Sequence, residues 1–277
     1  MKKNLLTDLE DENSINTTRH ESYKRIDISS DEEIAKMLTD CDDDQKIVID
    51  IAVTYSRSWK KSQKGLSKPN DAPLLIVQGG AGSGKSRLIN LISQLMEKDF
   101  RSAGDDINSP YIIISAFTGT AAANVNGQTL HSVFSFNFGK EFLSLSDKKR
   151  DQKRKELQNL KVLIIDEISM VDSDMLYKIN LRLQEIMQND LKPFGGIAVF
   201  VFGDLMQLKP VRANYIFQTP RNENFVIPFK VDSLWNKFMS VTLTKNHRQA
   251  NDKDYADILN RIRVGKLQEH DIQELKT

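Results

Sequence analysis

Three short stretches of this 277-residue chain combine residue types and spacings suited to phosphate chemistry. The first, "GGAGSGKS" (79–86), satisfies G-x-x-x-x-G-K-[ST] between an apolar run and a segment of helical period, the context that a phosphate-cradling loop requires. Gly80, Ala81, Gly82, Ser83 and Gly84 let backbone N–H groups turn toward phosphate oxygens. Lys85 supplies a point charge to the β- and γ-phosphates, and Ser86 a hydroxyl ligand for Mg²⁺. The second, "VLIIDEISM" (162–170), ends an apolar run in Asp166 and Glu167. A carboxylate at the end of a strand can hold Mg²⁺ through water, and the neighbouring Glu167 can orient and deprotonate an attacking water. The third, "FGDLMQLKPV" (202–211), delivers Gln207 to the same edge, within reach of a γ-phosphate or the lytic water. Downstream, "LTKNHRQ" offers Arg248, whose guanidinium can approach the γ-phosphate or simply form a surface ion pair.

Groups at the ends of strands must be carried by a sheet. "LLIVQ" (74–78), "YIIISA" (111–116), "VLIID" (162–166) and "IAVFVFGD" (197–204) are nearly continuous apolar, β-branched or aromatic runs, as expected of strands covered on both faces. Helical patterns lie between them, notably "SDMLYKINLRLQEIMQ", with Leu176, Ile179, Leu183 and Ile186 on one stripe and Ser173 at a capping position. Asp42 or Asp43 is positioned to cap a further helix carrying Ile47 to Tyr55. Alternating strands and helices predict an α/β fold with a parallel sheet flanked by helices. Residues 134–160 break the alternation: they begin aromatic and become basic at Lys148, Lys149, Arg150, Lys153, Arg154 and Lys155. A solvated face, a nucleic-acid contact and a nuclear-import patch all fit this inserted segment.

Composition bounds the rest. A net charge of +1 means that any affinity for nucleic acid must come from a local surface. The lone Cys41 excludes an internal disulfide, and no zinc-ligand spacing occurs. With no signal-like or membrane-spanning apolar run, an intracellular protein in nucleus, cytoplasm or mitochondrion is expected. Residues 1–30, rich in Asp, Glu, Asn, Ser and Thr, read as a disordered leader.

Taken in order, "DDDQKIVIDIA", "GGAGSGKS", "TGTAAANVNGQTLHSVF", "IIDEISM", "GDLMQLKPV" and "NHRQANDKDYADILNRIRVGKL" resemble the Pif-one and RecD-like branch of the superfamily-one DNA helicases. That resemblance implies a RecA-like P-loop NTPase domain over residues 71–250, ATP and Mg²⁺ as cofactors, and 5′-to-3′ movement on single-stranded DNA. By it, Gln45, within a helical segment and linker spanning 31–70, recognises adenine. Asp166 and Glu167 serve the metal and the water, Gln207 senses phosphate, and Arg248 contacts it. The same resemblance places Thr118, Gly119, Thr129 and His131 at the DNA backbone. His131 on its own reads more readily as a packed histidine than as a DNA ligand, and Phe134 and Phe136 more readily as core than as base-stacking residues. Residues 134–160 fall where the family places a small wedge domain. Phe117 and Lys209 stand where the family usually or often has proline.

Only the family's first-lobe motifs occur, so 251–277 is expected to begin a second RecA-like lobe, or to leave that lobe to be supplied in trans. A module that grips single-stranded DNA or a partner in a nucleotide-dependent way, without translocating, is the competing expectation. A phosphate-loop kinase is disfavoured because Glu167 points to water as the acceptor.

Overall fold

The computed structural model describes residues 23–137, 142–220, 233–247 and 253–275. Among them, β1 (Leu74–Gly79), β2 (Ile112–Ala116), β3 (Gln128–Thr129), β4 (Val162–Asp166), β5 (Ala198–Gly203) and β6 (Met239–Leu243) form one sheet. The strand order is β3-β2-β4-β5-β1-β6, every pairing parallel. The four apolar runs are the four inner strands. The two edge strands escape the sequence reading for physical reasons: β3 has two polar residues, and β6, "MSVTL", buries only Leu243. An edge strand needs no continuous apolar run because one flank meets solvent.

The helices are α1 (Asp31–Thr39), α2 (Asp43–Gln63), α3 (Lys85–Phe100), α4 (Gly119–Asn124), α5 (Leu130–Phe134), α6 (Asp147–Glu156), α7 (Ser173–Met187), α8 (Lys253–Arg263) and α9 (Glu269–Glu274). Successive strand residues point to opposite faces, so each inner strand supplies two cores. Val77, Ile112, Ile164, Phe200 and Phe202 face α2 and α3, packing with Val48, Ala52, Leu88, Ile92 and Phe100. Ile76, Ile113, Leu163, Ile165, Val199 and Val201 face α7 through Leu176, Ile179, Leu183 and Ile186. Asp42 caps α2, accepting from the Gln45 N–H at 2.9 Å. At α7 the cap is Asp172, whose carboxylate accepts from the Met175 N–H at 2.6 Å; Ser173, read as the cap, is instead the buried first helical residue. A carboxylate adds charge to the cap, where the helix dipole favours it.

Residues 1–22 lie outside the described residues, but the last part of the expected leader is held. The Ser29 N–H donates to Gln94 Oε1 at 2.7 Å. Lys153 Nζ donates to the Tyr23 oxygen at 2.7 Å and lies 5.1 Å above its ring. The basic segment, too, is docked on the domain. Phe134, Leu157 and Leu160 are fully buried in the α7-side core. Arg182 of α7, 2% exposed, pairs with Glu185 at 2.5 Å, donates to the Leu143 carbonyl at 2.9 Å and sits 4.8 Å from the Phe142 ring centroid. On α6, Arg154 turns inward to the Glu185 carbonyl, while Lys148, Lys149 and Lys155 are exposed.

Candidate active site and strand-binding edge

Gly80 to Gly84 form the turn from β1 into α3. Gly84 adopts φ +82°, which favours glycine, and a β-carbon there would stand 2.7 Å from Gln45 Nε2 and push that amide aside. Lys85 Nζ donates to the Gly79 carbonyl at 2.7 Å and the Gly80 carbonyl at 3.0 Å, which folds the lysine back along the loop. Burial pulls its pKa below the usual lysine value, while Asp166, Glu167 and Asp204 pull it back up. Ser83 is buried, its hydroxyl donating to the Gly80 carbonyl at 2.9 Å; Ala81 and Ser86 are exposed.

The acids stand at the adjoining strand ends. Asp166, 6% exposed, closes β4 and accepts from the Glu167 N–H at 2.9 Å. Burial raises its pKa, Glu167 adds to the rise, and the Glu167 N–H and Lys85 oppose it. Glu167 is half-buried and adopts φ +54°, ψ +47°, a left-handed conformation that L-residues with a side chain rarely take. Asp204 follows β5 and is buried. Its carbonyl accepts from the Gln207 N–H at 2.9 Å, turning the exposed Gln207 toward the cavity that Gly80 and Ala81 also line. Among the described residues no group of three or more His, Cys, Asp or Glu can hold a metal. A magnesium ion at Asp166 would therefore take most of its ligands from nucleotide oxygens and water.

Gln45 is buried, its amide donating to the Ser83 carbonyl at 3.1 Å while its carbonyl accepts from the Asp42 N–H at 3.3 Å. The expected adenine residue thus braces the phosphate loop. His247 completes this corner: its N–H donates to the Gly82 carbonyl at 2.8 Å, and Nε2 lies 2.8 Å from Asp42 Oδ2 and 3.3 Å from Gln45 Nε2. Beside it, Asp44 accepts from the Thr244 N–H at 2.9 Å and hydroxyl at 2.6 Å. The sequence reading passed over His247, although it adjoins Arg248 in one motif; Arg248 itself lies outside the described residues. Asp42 was legible only as a helix cap.

The other half of the sheet's carboxyl edge holds the residues expected at DNA. Thr118 caps α4 and Thr129 caps α5, their hydroxyls accepting from the Ala121 and Ser132 N–H groups at 3.2 Å. Each hydroxyl still has its own proton to donate. A β-carbon on Gly119 would meet nothing within 4 Å, so the start of α4 is open. His131 packs edge-on between Phe117 and Phe136, at 6.0 and 6.2 Å between ring centroids, and burial and Lys178 lower its pKa. Phe134 is core, which settles its reading; Phe136 is half-buried. The register sets Ala116 beside Asp166 on one side and Thr129 on the other. With strands about 4.8 Å apart, the acid and the threonine backbone are separated by roughly 10 Å.

Comparison with known proteins follows this geometry. A family model described as PIF1-like helicase matches residues 65–273. The chain is 37% identical over 207 residues to ATP-dependent DNA helicase PIF1 of Emericella nidulans, covering 73% of this chain and 26% of that protein. It is 32% identical over 244 residues to human ATP-dependent DNA helicase PIF1, covering 80% of this chain and 35% of that protein. Among solved structures, Pif1 helicase from Candida albicans superimposes with a TM-score of 0.61 at 29% identity, over 84% of this chain and 46% of that one. Pif1 helicase from Bacteroides in complex with ADP-AlF3 and single-stranded DNA gives 0.57 at 30% identity, over 78% and 48%. The chain therefore spans 26–35% of these curated relatives and about half of these solved chains.

Proposed function

This chain belongs to the PIF1-like helicase family, and from that premise we propose that it is the ATP-hydrolysing lobe of a helicase that moves 5′ to 3′ on single-stranded DNA. One observation carries the reading: the phosphate loop, Asp166, Glu167 and Gln207 converge on one sheet edge, in register with the Thr118–Thr129 segment. Lys85 would exchange its two loop carbonyls for the β- and γ-phosphate oxygens, and the Gly80–Gly84 amides would take the remaining charge. The residues fit a magnesium ion: the Asp166 carboxylate is buried, with Lys85 the cation acting on it among the described residues, and Ser86 would be a second protein ligand. When bound, such an ion would neutralise phosphate charge. Glu167, held by its unusual backbone, would accept the proton of the attacking water, and Gln207 would orient that water or the γ-phosphate. Gln45 would read adenine from its seat against Ser83, and the unmasked protons of Thr118 and Thr129 would bond DNA phosphates without reading sequence. A second RecA-like lobe, in cis or in trans, would supply further transition-state charge.

The test is steady-state ATP hydrolysis with and without oligo(dT). We expect turnover stimulated by oligo(dT), abolished by Glu167→Gln with nucleotide binding retained, and lost together with binding in Lys85→Ala. Turnover unchanged in Glu167→Gln would remove the hydrolytic assignment. Mg·ATP binding and DNA binding without turnover would favour the gripping module over the motor.

A further inference from the structure

A cavity of about 820 Å³ separates the phosphate loop from α8, with Gly80, Ala81, Ser83 and Gln207 on one wall and Arg263 on the other. Two arginines near the end of α8 behave differently. Arg261 is committed to the fold: its Nε and Nη2 reach Asp271 at 2.7 and 2.6 Å, and that fully buried carboxylate ties α8 to α9. Arg263 turns to the strand edge, with Nη2 2.6 Å from Asp204 Oδ1 and Nε 2.6 Å from Oδ2. Asp204 is 1% exposed, the Arg263 side chain 30%. A guanidinium has five N–H donors in a rigid fork; with Nη2 bonded to the carboxylate and Nε beside it in ion-pair contact only, the Nη1 edge is left for a second acceptor. Arg263 is also among the charges that act on Lys85, which puts it within electrostatic reach of the phosphate loop. A nucleoside triphosphate brings about four negative charges to an edge already carrying Asp166, Glu167 and Asp204. Cations beyond Lys85 are needed there, and α8 presents one.

We propose that Arg263 is a nucleotide-contacting residue: held by Asp204, its guanidinium bonds the terminal phosphate of a bound nucleoside triphosphate from within the same chain. Asp204 is its positioning residue, fixing the fork so that the free edge faces the cavity. The inference rests on the ATP-hydrolysing reading above. It gives α8 a role that depends on nucleotide state, because a diphosphate has no group for Arg263 to hold.

Titration with fluorescent mant-ATP and mant-ADP, in Mg²⁺ and on the whole chain, separates the two. In Arg263→Ala we expect mant-ATP affinity to fall at least about tenfold, as for loss of a hydrogen bond to a charged group, with mant-ADP affinity within about twofold. Arg263→Lys, which keeps charge but loses the fork, should recover part of the difference, and Asp204→Asn should lose part of it. Circular dichroism on each variant establishes folding, and Arg263→Lys carries the comparison if the alanine variant does not fold. Equal losses for both nucleotides, or no loss, would overturn the assignment while leaving the hydrolytic reading intact. A wild-type chain binding neither nucleotide would overturn both.

Discussion

Asp166 is a buried acid whose liability is its use. Its pKa is raised by burial, so the folded state holds that proton more tightly than the unfolded chain does. The contribution of this group to stability is therefore present below the ordinary carboxylate value and lost as pH rises through the raised one. At neutral pH the ionised form destabilises the lobe unless a cation arrives. Asp166→Asn should accordingly raise the melting temperature of the nucleotide-free lobe at pH 7, with the gain vanishing below about pH 4, while weakening stabilisation by Mg·ATP. Paired thermal melts across that range, with and without nucleotide, check both limbs. The sequence identified Asp166 because an acid ending an apolar run is a readable pattern. It could not identify Arg263, which looks like any basic residue closing an amphipathic helix; only the packing of α8 against the cavity gives it a direction.

Helix α7 shows the same division among elements. Its apolar stripe was legible, and it packs as expected against the sheet. Its other face was not: there the buried Arg182 pairs with the half-buried Glu185, and the two pin residues 142–145. Removing one partner of such a pair leaves the other charge uncompensated, so Arg182→Ala should cost roughly 3–5 kcal/mol, measured by urea unfolding, and should speed protease cleavage near Leu143. Arg182→Ala with Glu185→Leu together should recover much of the loss. The inner strands were readable because burial on both faces enforces continuous apolar sequence. The edge strands β3 and β6 were not, since two polar residues and a strand burying only Leu243 leave no apolar run to read, and backbone pairing does most to place them.

For the whole molecule, charge balance bears on how DNA would be held in the proposed reading. With a net charge of +1 and an expected DNA edge made of threonine hydroxyls and open backbone, few condensed counterions would be released on binding. The logarithm of affinity for oligo(dT) should fall with the logarithm of salt concentration at a slope of about −1 to −2, against about −0.7 per neutralised phosphate. A slope steeper than about −4 would mean that Lys148, Lys149 and Lys155 of α6 grip the strand, one of the readings their sequence allowed. The row Asp166–Ala116–Thr129 bears on how the proposed nucleotide and DNA sites would be joined within the lobe. The two are linked across it by interstrand backbone hydrogen bonds, and those bonds belong to no particular side chain. Point substitutions can blunt either end of that link, but only a proline, which lacks the backbone N–H, would remove a bond from its middle. Sequence drift along β2 and β4 therefore leaves the connection standing for as long as the sheet itself folds.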